Sequence, residues 1–183
     1  IFINDDFSIS DEISIQAGLR YNQFILNSNF DTTFYDFPFT EANINNSALT
    51  GNLGAVVRPG GSWVIKTNFG TTFRAPNVDD VGKVFDSEPG TVIVPNADVK
   101  PEYTYNAELS LGKTFQNILE VEVTGWYTLY RDALVVRDFT VDGQDSIYYE
   151  GVLSKVQANV NSKNAFLAGI NANFEWKIIH HLI

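Results

Sequence analysis

The sequence contains no cysteine and no methionine. Without thiols there is no disulfide framework, no thiolate metal site and no cysteine nucleophile. Its two histidines, His180 and His181, sit together near the C-terminal end, so histidine-based metal or triad chemistry is not expected. No apolar run reaches the roughly 18 residues that a transmembrane helix needs. Lys and Arg number 12 against 22 Asp and Glu, a net charge of −10. That balance excludes the electrostatic footprint of a nucleic-acid binder. The chain opens neither on Met nor on a signal segment, and is read as a mature piece or an excised fragment.

Aromatic surface is what the chain has in quantity. It carries 14 Phe, 8 Tyr and 3 Trp in 183 residues, with 44% hydrophobic residues overall. The length fits one domain. The composition fits an all-β protein, soluble or membrane-embedded.

Periodicity decides the class. From residue 12 to 24, Ile13, Ile15, Ala17, Leu19 and Tyr21 alternate with Ser14, Gln16, Gly18, Arg20 and Asn22. Strict period-two alternation is the pattern of a strand with one apolar and one polar face. It recurs over 46–58, 62–74, 102–113, 118–131 and 164–178. The sequence therefore predicts an antiparallel up-and-down meander of six strands, each paired with its neighbour. Ile15, Leu19, Ile65, Phe69, Leu109, Val121, Val123 and Ile170 are expected on the outer face. Thr50, Asn68, Asn106, Glu108, Glu122 and Asn173 are expected on the inner one.

The connections alternate too. Segments 25–45, 75–101 and 131–163 are long, the last with a hairpin expected at Asp142-Gly143. Arg58-Pro59-Gly60-Gly61 and the stretch from Lys113 to Asn117 are short. Long loops at one end and tight turns at the other mark outer-membrane barrels. Tyr21, Phe73, Tyr103 and Tyr105 fall near the long-loop ends, and Trp63, Phe174 and Trp176 near the short-turn ends. Two such belts around an aliphatic middle suit the two interfaces of a bilayer and an outward face against lipid. Alternation by itself fits a soluble β-sandwich equally well. A passive porin-like barrel fits the same strands, and a carbohydrate-binding or adhesin sandwich remains the soluble alternative.

Two motifs carry a resemblance. Phe73-Arg74-Ala75-Pro76-Asn77, then Asn96-Ala97-Asp98-Val99-Lys100-Pro101-Glu102, resemble the paired signatures of TonB-dependent outer-membrane receptors. Gly18-Leu19-Arg20-Tyr21, Tyr130-Arg131-Asp132-Ala133-Leu134 and the stretch from Asn161 to Trp176 resemble the flanking barrel strands in the same order. Ala97 stands where the family usually has Pro, and Val99 where it usually has Leu. The resemblance implies a sector of a barrel of about 22 strands with a plugged lumen. It implies active uptake of a large, scarce nutrient: an iron–siderophore, cobalamin or a glycan. It also implies an N-terminal plug domain and TonB as partners in the full-length receptor, and the bacterial outer membrane as location. Residues 1–183 are expected to be a partial barrel domain without plug or TonB box. They are also expected to stop short of the barrel end, because the chain finishes His180-His181-Leu182-Ile183 rather than on an aromatic residue.

The candidate site residues follow from these motifs. Arg74 and Glu102 lie in the polar phase at the loop ends of consecutive strands and are expected to pair with each other. Pro76, Asn77, Lys100 and Pro101 complete the structural motif, the prolines suiting strand ends. Asp79, Asp80, Asp86, Glu88 and Asp98 read as a solvated acidic loop, without the spacing of a calcium loop. Glu120 and Glu122 share a strand face but read as lumen wall rather than an acid–base pair. Among the loop aromatics, Phe34, Tyr35, Tyr148 and Tyr149 are candidates to stack on a ligand, with packing inside the loops as the alternative. No catalytic residue, metal site or cofactor is expected.

Overall fold

The computed structural model describes residues 1–31, 33, 40–82 and 84–178. Twelve strands and one short helix follow in chain order. They are β1 (Phe2–Ser8), β2 (Ile13–Asn29), β3 (Glu41–Val57), β4 (Trp63–Arg74), α1 (Val78–Gly82), β5 (Phe85–Glu88), β6 (Thr91–Val94), β7 (Glu102–Phe115), β8 (Leu119–Arg131), β9 (Leu134–Asp138), β10 (Ser146–Tyr149), β11 (Val152–Asn161) and β12 (Asn164–Trp176).

The long strands form one antiparallel sheet in the order β1-β2-β3-β4-β7-β8-β12. The six expected strands are all present, and neighbours in this series pair as expected. β1 is an addition, paired with β2 from Phe2 opposite Arg20 to Ser8 opposite Ser14. Tight turns join the strands at one end. Gly60 and Gly61 take φ of 91° and 59° in the turn before β4, a region open to glycine at little cost. Gln116 and Asn117 take φ of 49° and 57° between β7 and β8.

Register sorts the faces. Ile13, Val57, Ile65, Leu111, Val123 and Ala172 lie directly opposite one another across five ladders. Directly opposed residues share a face, so the whole expected outer set falls on one side and the whole expected inner set on the other. The outer side is bare: Leu19, Leu53, Phe69, Leu109, Phe166 and Ile170 are all more than half or about half exposed. No second sheet covers this face among the described residues.

At the loop end of β2 and β3 the apolar phase inverts with no break in register. Below Tyr21 the outward residues are apolar. Beyond it Gln23, Asn27 and Asn29 point outward, with Asn43, Asn45 and Ser47 on β3. Phe24, Leu26, Ala42 and Ile44, on the inner side, become the apolar ones. They pack with Val81 of α1, Val99, Phe30 and Leu134 in a buried cluster. Residues 25–29 and 41–45 of the long segment 25–45 are therefore strand rather than loop, with Ile25 the one large apolar residue among them still facing out.

The other two long segments are not plain loops either. Residues 75–101 and 131–163 build a second sheet of order β10-β11-β6-β5, with β9 also on β11. β6 pairs with β11 in parallel, from Thr91 opposite Lys155 to Val94 opposite Ala158. Val92, Val94, Val156 and Ala158 form its core. The Asp142-Gly143 turn exists, but it closes a single Val141–Gln144 bridge instead of a two-stranded hairpin.

The ladder between β3 and β4 stops at Asn52 opposite Gly70. One step on, the Gly51 N–H donates to Thr71 Oγ1 at 2.8 Å, and that hydroxyl donates back to the Gly51 carbonyl at 3.3 Å. Here the β2–β3 hairpin leaves β4 and makes room for α1. A Cβ on Gly51 would lie 2.7 Å from the Gly18 carbonyl oxygen and 2.9 Å from Leu19 Cδ2. Gly51→Ala is expected to destabilise the protein by about 1–3 kcal/mol, read from urea unfolding in detergent. Gly54→Ala, with its nearest atoms at 3.6 Å, is the control and is expected to be neutral or slightly stabilising.

Candidate functional site

The site is the mouth of the sheet, where both long loops meet the strand ends. β4 ends at Arg74 because Pro76 cannot extend the ladder and biases the residue before it away from helix. Pro76 is fully buried. Asn77 then caps α1 reciprocally: the Asp80 N–H donates to Asn77 Oδ1 at 3.0 Å, and the Asn77 N–H donates to Asp80 Oδ2 at 3.0 Å. This is a capping box with aspartate in the third position.

Asp80 collects more donors. Arg74 Nη2 donates to Oδ1 at 3.1 Å and to Oδ2 at 2.9 Å. Asn159 Nδ2 of β11 donates to Oδ1 at 3.4 Å. The Asp80 side chain is 11% exposed, against 47% for Arg74. The expected Arg74–Glu102 pair is corrected here. The two are register partners, but the guanidinium turns to Asp80, whose carboxylate is already held by the Asn77 main-chain N–H. Glu102 Oε2 instead accepts the Leu134 N–H at 3.0 Å, at the start of β9. Asp80 likewise departs from the solvated acidic loop, whereas Asp79, Asp86, Glu88 and Asp98 are exposed.

The second motif is held through its main chain. Asn96 is buried; its Nδ2 donates to the Asn159 carbonyl at 2.8 Å, and its Oδ1 accepts the Asp98 N–H at 3.0 Å. Val99, standing for the family's Leu, is buried in the apolar cluster. Asn161 Oδ1 accepts the Lys100 N–H at 2.7 Å, and its Nδ2 donates to the carbonyls of Lys100 at 2.9 Å and Asp132 at 2.7 Å. The Lys100 side chain is exposed, and Pro101 leads into β7. Asn159 and Asn161 are the site residues missing from the sequence reading.

The aromatic candidates separate. Phe34 and Tyr35, with Phe37, lie outside the described residues, as do His180 and His181. Tyr148 is 76% exposed, opposite Leu153. Tyr149 is the correction: its ring packs on the Val92–Val156 core, and burial pushes its phenol above the ordinary range. In the same sheet, hydrogen bonds from Lys155 and Gln157 hold the Asp138 carboxyl below its ordinary value.

The inner wall below the mouth is polar. Asn4, Gly18, Asn52, Gly70, Asn106 and Thr128 stand opposite one another in a single row across the sheet. Asn106 Nδ2 donates to Thr128 Oγ1 at 2.8 Å, and Ser110 and Thr124 share a 2.8 Å hydrogen bond. Lys66 pairs with Glu122 across two strands, so Glu122 is a wall residue with a cationic partner. An open recess of about 950 Å³, lined in part by Asn4, Arg20, Asn22, Thr50, Asn68 and Asn106, lies against this wall. Among the described residues no three His, Cys, Asp or Glu stand close enough to hold a metal ion.

A meander of long antiparallel strands, bare and apolar outside, polar inside and capped by folded loops, is a sector of a large transmembrane β-barrel. A sequence model described as "TonB dependent receptor-like, beta-barrel" matches residues 1–182, and the chain belongs to that family. The family is one of receptors and transporters rather than enzymes.

No curated protein matches the chain. Among solved structures it is similar to the hemophore receptor HasR of Serratia marcescens, in complex with its hemophore HasA and heme. That likeness has a TM-score of 0.71 at 17% identity and covers 95% of this chain and 31% of that one. It is similar to the siderophore receptor PirA of Acinetobacter baumannii, with a TM-score of 0.68 at 17% identity, covering 97% and 25%. It is also similar to the copper transporter OprC, with a TM-score of 0.70 at 16% identity, covering 97% and 25%. At these identities the likeness is one of fold. The chain spans between a quarter and a third of the length of these structures.

Proposed function

We propose that this chain is a wall sector of a bacterial outer-membrane receptor that actively takes up a large, scarce nutrient. The phase inversion at Tyr21 carries the reading. A sheet whose outside is apolar for one stretch and polar beyond it, at constant register, fits a wall that leaves lipid for water. The polar inner wall then faces the lumen, and the two fused loops stand over its mouth as the ligand-facing surface. Tyr148 is the exposed ring there, suited to stacking on a planar or sugar ligand. In the full-length receptor an interior plug domain lies against the carboxamide row, and TonB supplies the energy from the inner membrane. Iron–siderophore, heme and other metal ligands are favoured by the similar structures, with cobalamin and glycans as further members of the class. The barrel family match over residues 1–182 favours this reading over a soluble sandwich.

The test is uptake by cells that carry the full-length receptor as their sole route. A ferric catecholate, heme and cobalamin serve as probes. Uptake of at least one is expected, and deleting TonB is expected to abolish it. Uptake that persists without TonB means a passive channel instead, and uptake of none overturns the proposed ligand class.

A further inference from the structure

Charge is sorted by face in the seven-stranded sheet. Arg20, Lys66, Arg74, Glu108, Glu120 and Glu122 all take the inner phase. Among the described strand residues only two cations take the outer phase, Lys113 on β7 and Arg131 on β8. The outward carboxylates, Asp5 and Glu41, lie on β1 and β3. Neither outward cation is in an ion pair with a described carboxylate.

Each cation instead sits on an aromatic ring. Lys113 Nζ lies 4.4 Å from the ring centre of Trp63, its register partner, and 5.2 Å from that of Phe115. The Arg131 guanidinium carbon lies 5.5 Å from the Tyr105 ring centre. The two mark opposite ends of the apolar band. Arg131 stands opposite Tyr103, and Lys113 is ten residues from Tyr103 along β7. At about 3.3 Å per residue and a tilt of about 40°, that separation is about 25 Å along the barrel axis, the usual height of the lipid-facing band.

A charge on the lipid face is stable only where its head reaches the interface while its stem lies on apolar surface. Trp63 and Phe115 provide that surface for Lys113, leaving the ammonium with no counter-charge among the described residues. We infer that Lys113, seated over Trp63 and Phe115 at the short-turn end, binds the phosphate of a phospholipid headgroup, with Arg131 the matching anchor at the rim. This rests on the transmembrane reading above. The site takes a monoanionic phosphate at the edge of one leaflet and fixes the height of the wall in the bilayer.

The experiment uses the full-length receptor in neutral detergent supplemented with phosphatidylglycerol, with retained lipid counted by native mass spectrometry. Lys113→Gln is expected to retain about fivefold less phosphatidylglycerol than the parent, and Lys113→Arg to retain it. Excess inorganic phosphate is expected to leave the bound lipid in place. Equal retention by Lys113→Gln, or displacement by inorganic phosphate, overturns the site. Insertion into phosphatidylglycerol liposomes is scored separately by the faster gel mobility of an unheated barrel. A parent receptor that does not insert refutes the transmembrane reading. A receptor that inserts while Lys113→Gln holds lipid like the parent refutes only the Lys113 site.

Discussion

Leu109→Arg is expected to destabilise the receptor by about 2–4 kcal/mol in a bilayer, the cost of a cation near the midplane of a barrel's lipid face. Glu108→Arg, one residue away, is expected to cost far less. Leu109 lies on β7 between Tyr105 and Lys113, opposite Thr67 and Gly125, and its side chain is about half exposed on the apolar side. Glu108 points to the lumen, opposite Asn68 and Trp126. Urea unfolding of the receptor folded into liposomes reads both. Because strand side chains alternate, a slip of one residue exchanges the two faces. A larger loss for Glu108→Arg than for Leu109→Arg therefore means that the sheet is inside out relative to the membrane. Equal small losses mean that neither face meets lipid.

The same alternation is why the wall was legible in the sequence. A strand between lipid and lumen meets two different solvents, so Tyr103, Tyr105, Leu109 and Leu111 had to alternate with Thr104, Asn106, Glu108 and Ser110. β1 obeys the rule less well. Asp5 takes its outer phase and Phe2 its inner phase, so the segment carries no clear period. The upper halves of β2 and β3 resemble loop in sequence because their period survives while its sign reverses. Asn and Ser on the outside look like loop composition until Phe24, Leu26, Ala42 and Ile44 are seen facing a core.

The second sheet was illegible for a different reason. β5, β6 and β10 are four residues each, too short to show a period, and Thr91–Val94 is buried on both faces. Its central pairing, β6 with β11, joins segments some sixty residues apart in the chain, and such non-local contacts leave no local signature. The motif residues were readable as a group, but not their partners. Opposite charge at a shared register position pointed to Arg74 with Glu102. Yet a guanidinium goes to the carboxylate that the main chain has already oriented, and that orientation came from the Asn77–Asp80 cap. Asn159 and Asn161 act through side-chain amides on distant main chain, a use that composition does not reveal.

Those amides set the second large effect. Asn161→Ala removes three hydrogen bonds to main chain, two to Lys100 and one to Asp132. At roughly 1 kcal/mol each, and with the freed groups only partly shielded from water, the local loss is expected to be about 2–3 kcal/mol. It falls on both long loops at once, because Asn161 ends β11 while its partners lie at the base of the 75–101 loop and at the start of the 131–163 loop. Amide hydrogen exchange is therefore expected to speed up around Lys100 and Asp132 together, with Gly112 and Thr124 in the wall unchanged. Asn161→Asp keeps the acceptor for the Lys100 N–H but turns a carboxylate oxygen toward two carbonyl oxygens, so it is expected to be at least as damaging as alanine. If the loops opened independently, alanine would accelerate exchange at one base and not the other. A uniform loss of protection that reached the wall would instead place Asn161 in the global stability of the barrel. The parallel β6–β11 pairing also binds the two loops into one sheet. For the same reason, deleting residues 75–101 is expected to unfold the 131–163 loop along with it. The proposed ligand-facing surface would then be lost as a unit, while β4, β7 and β8 keep their ladders.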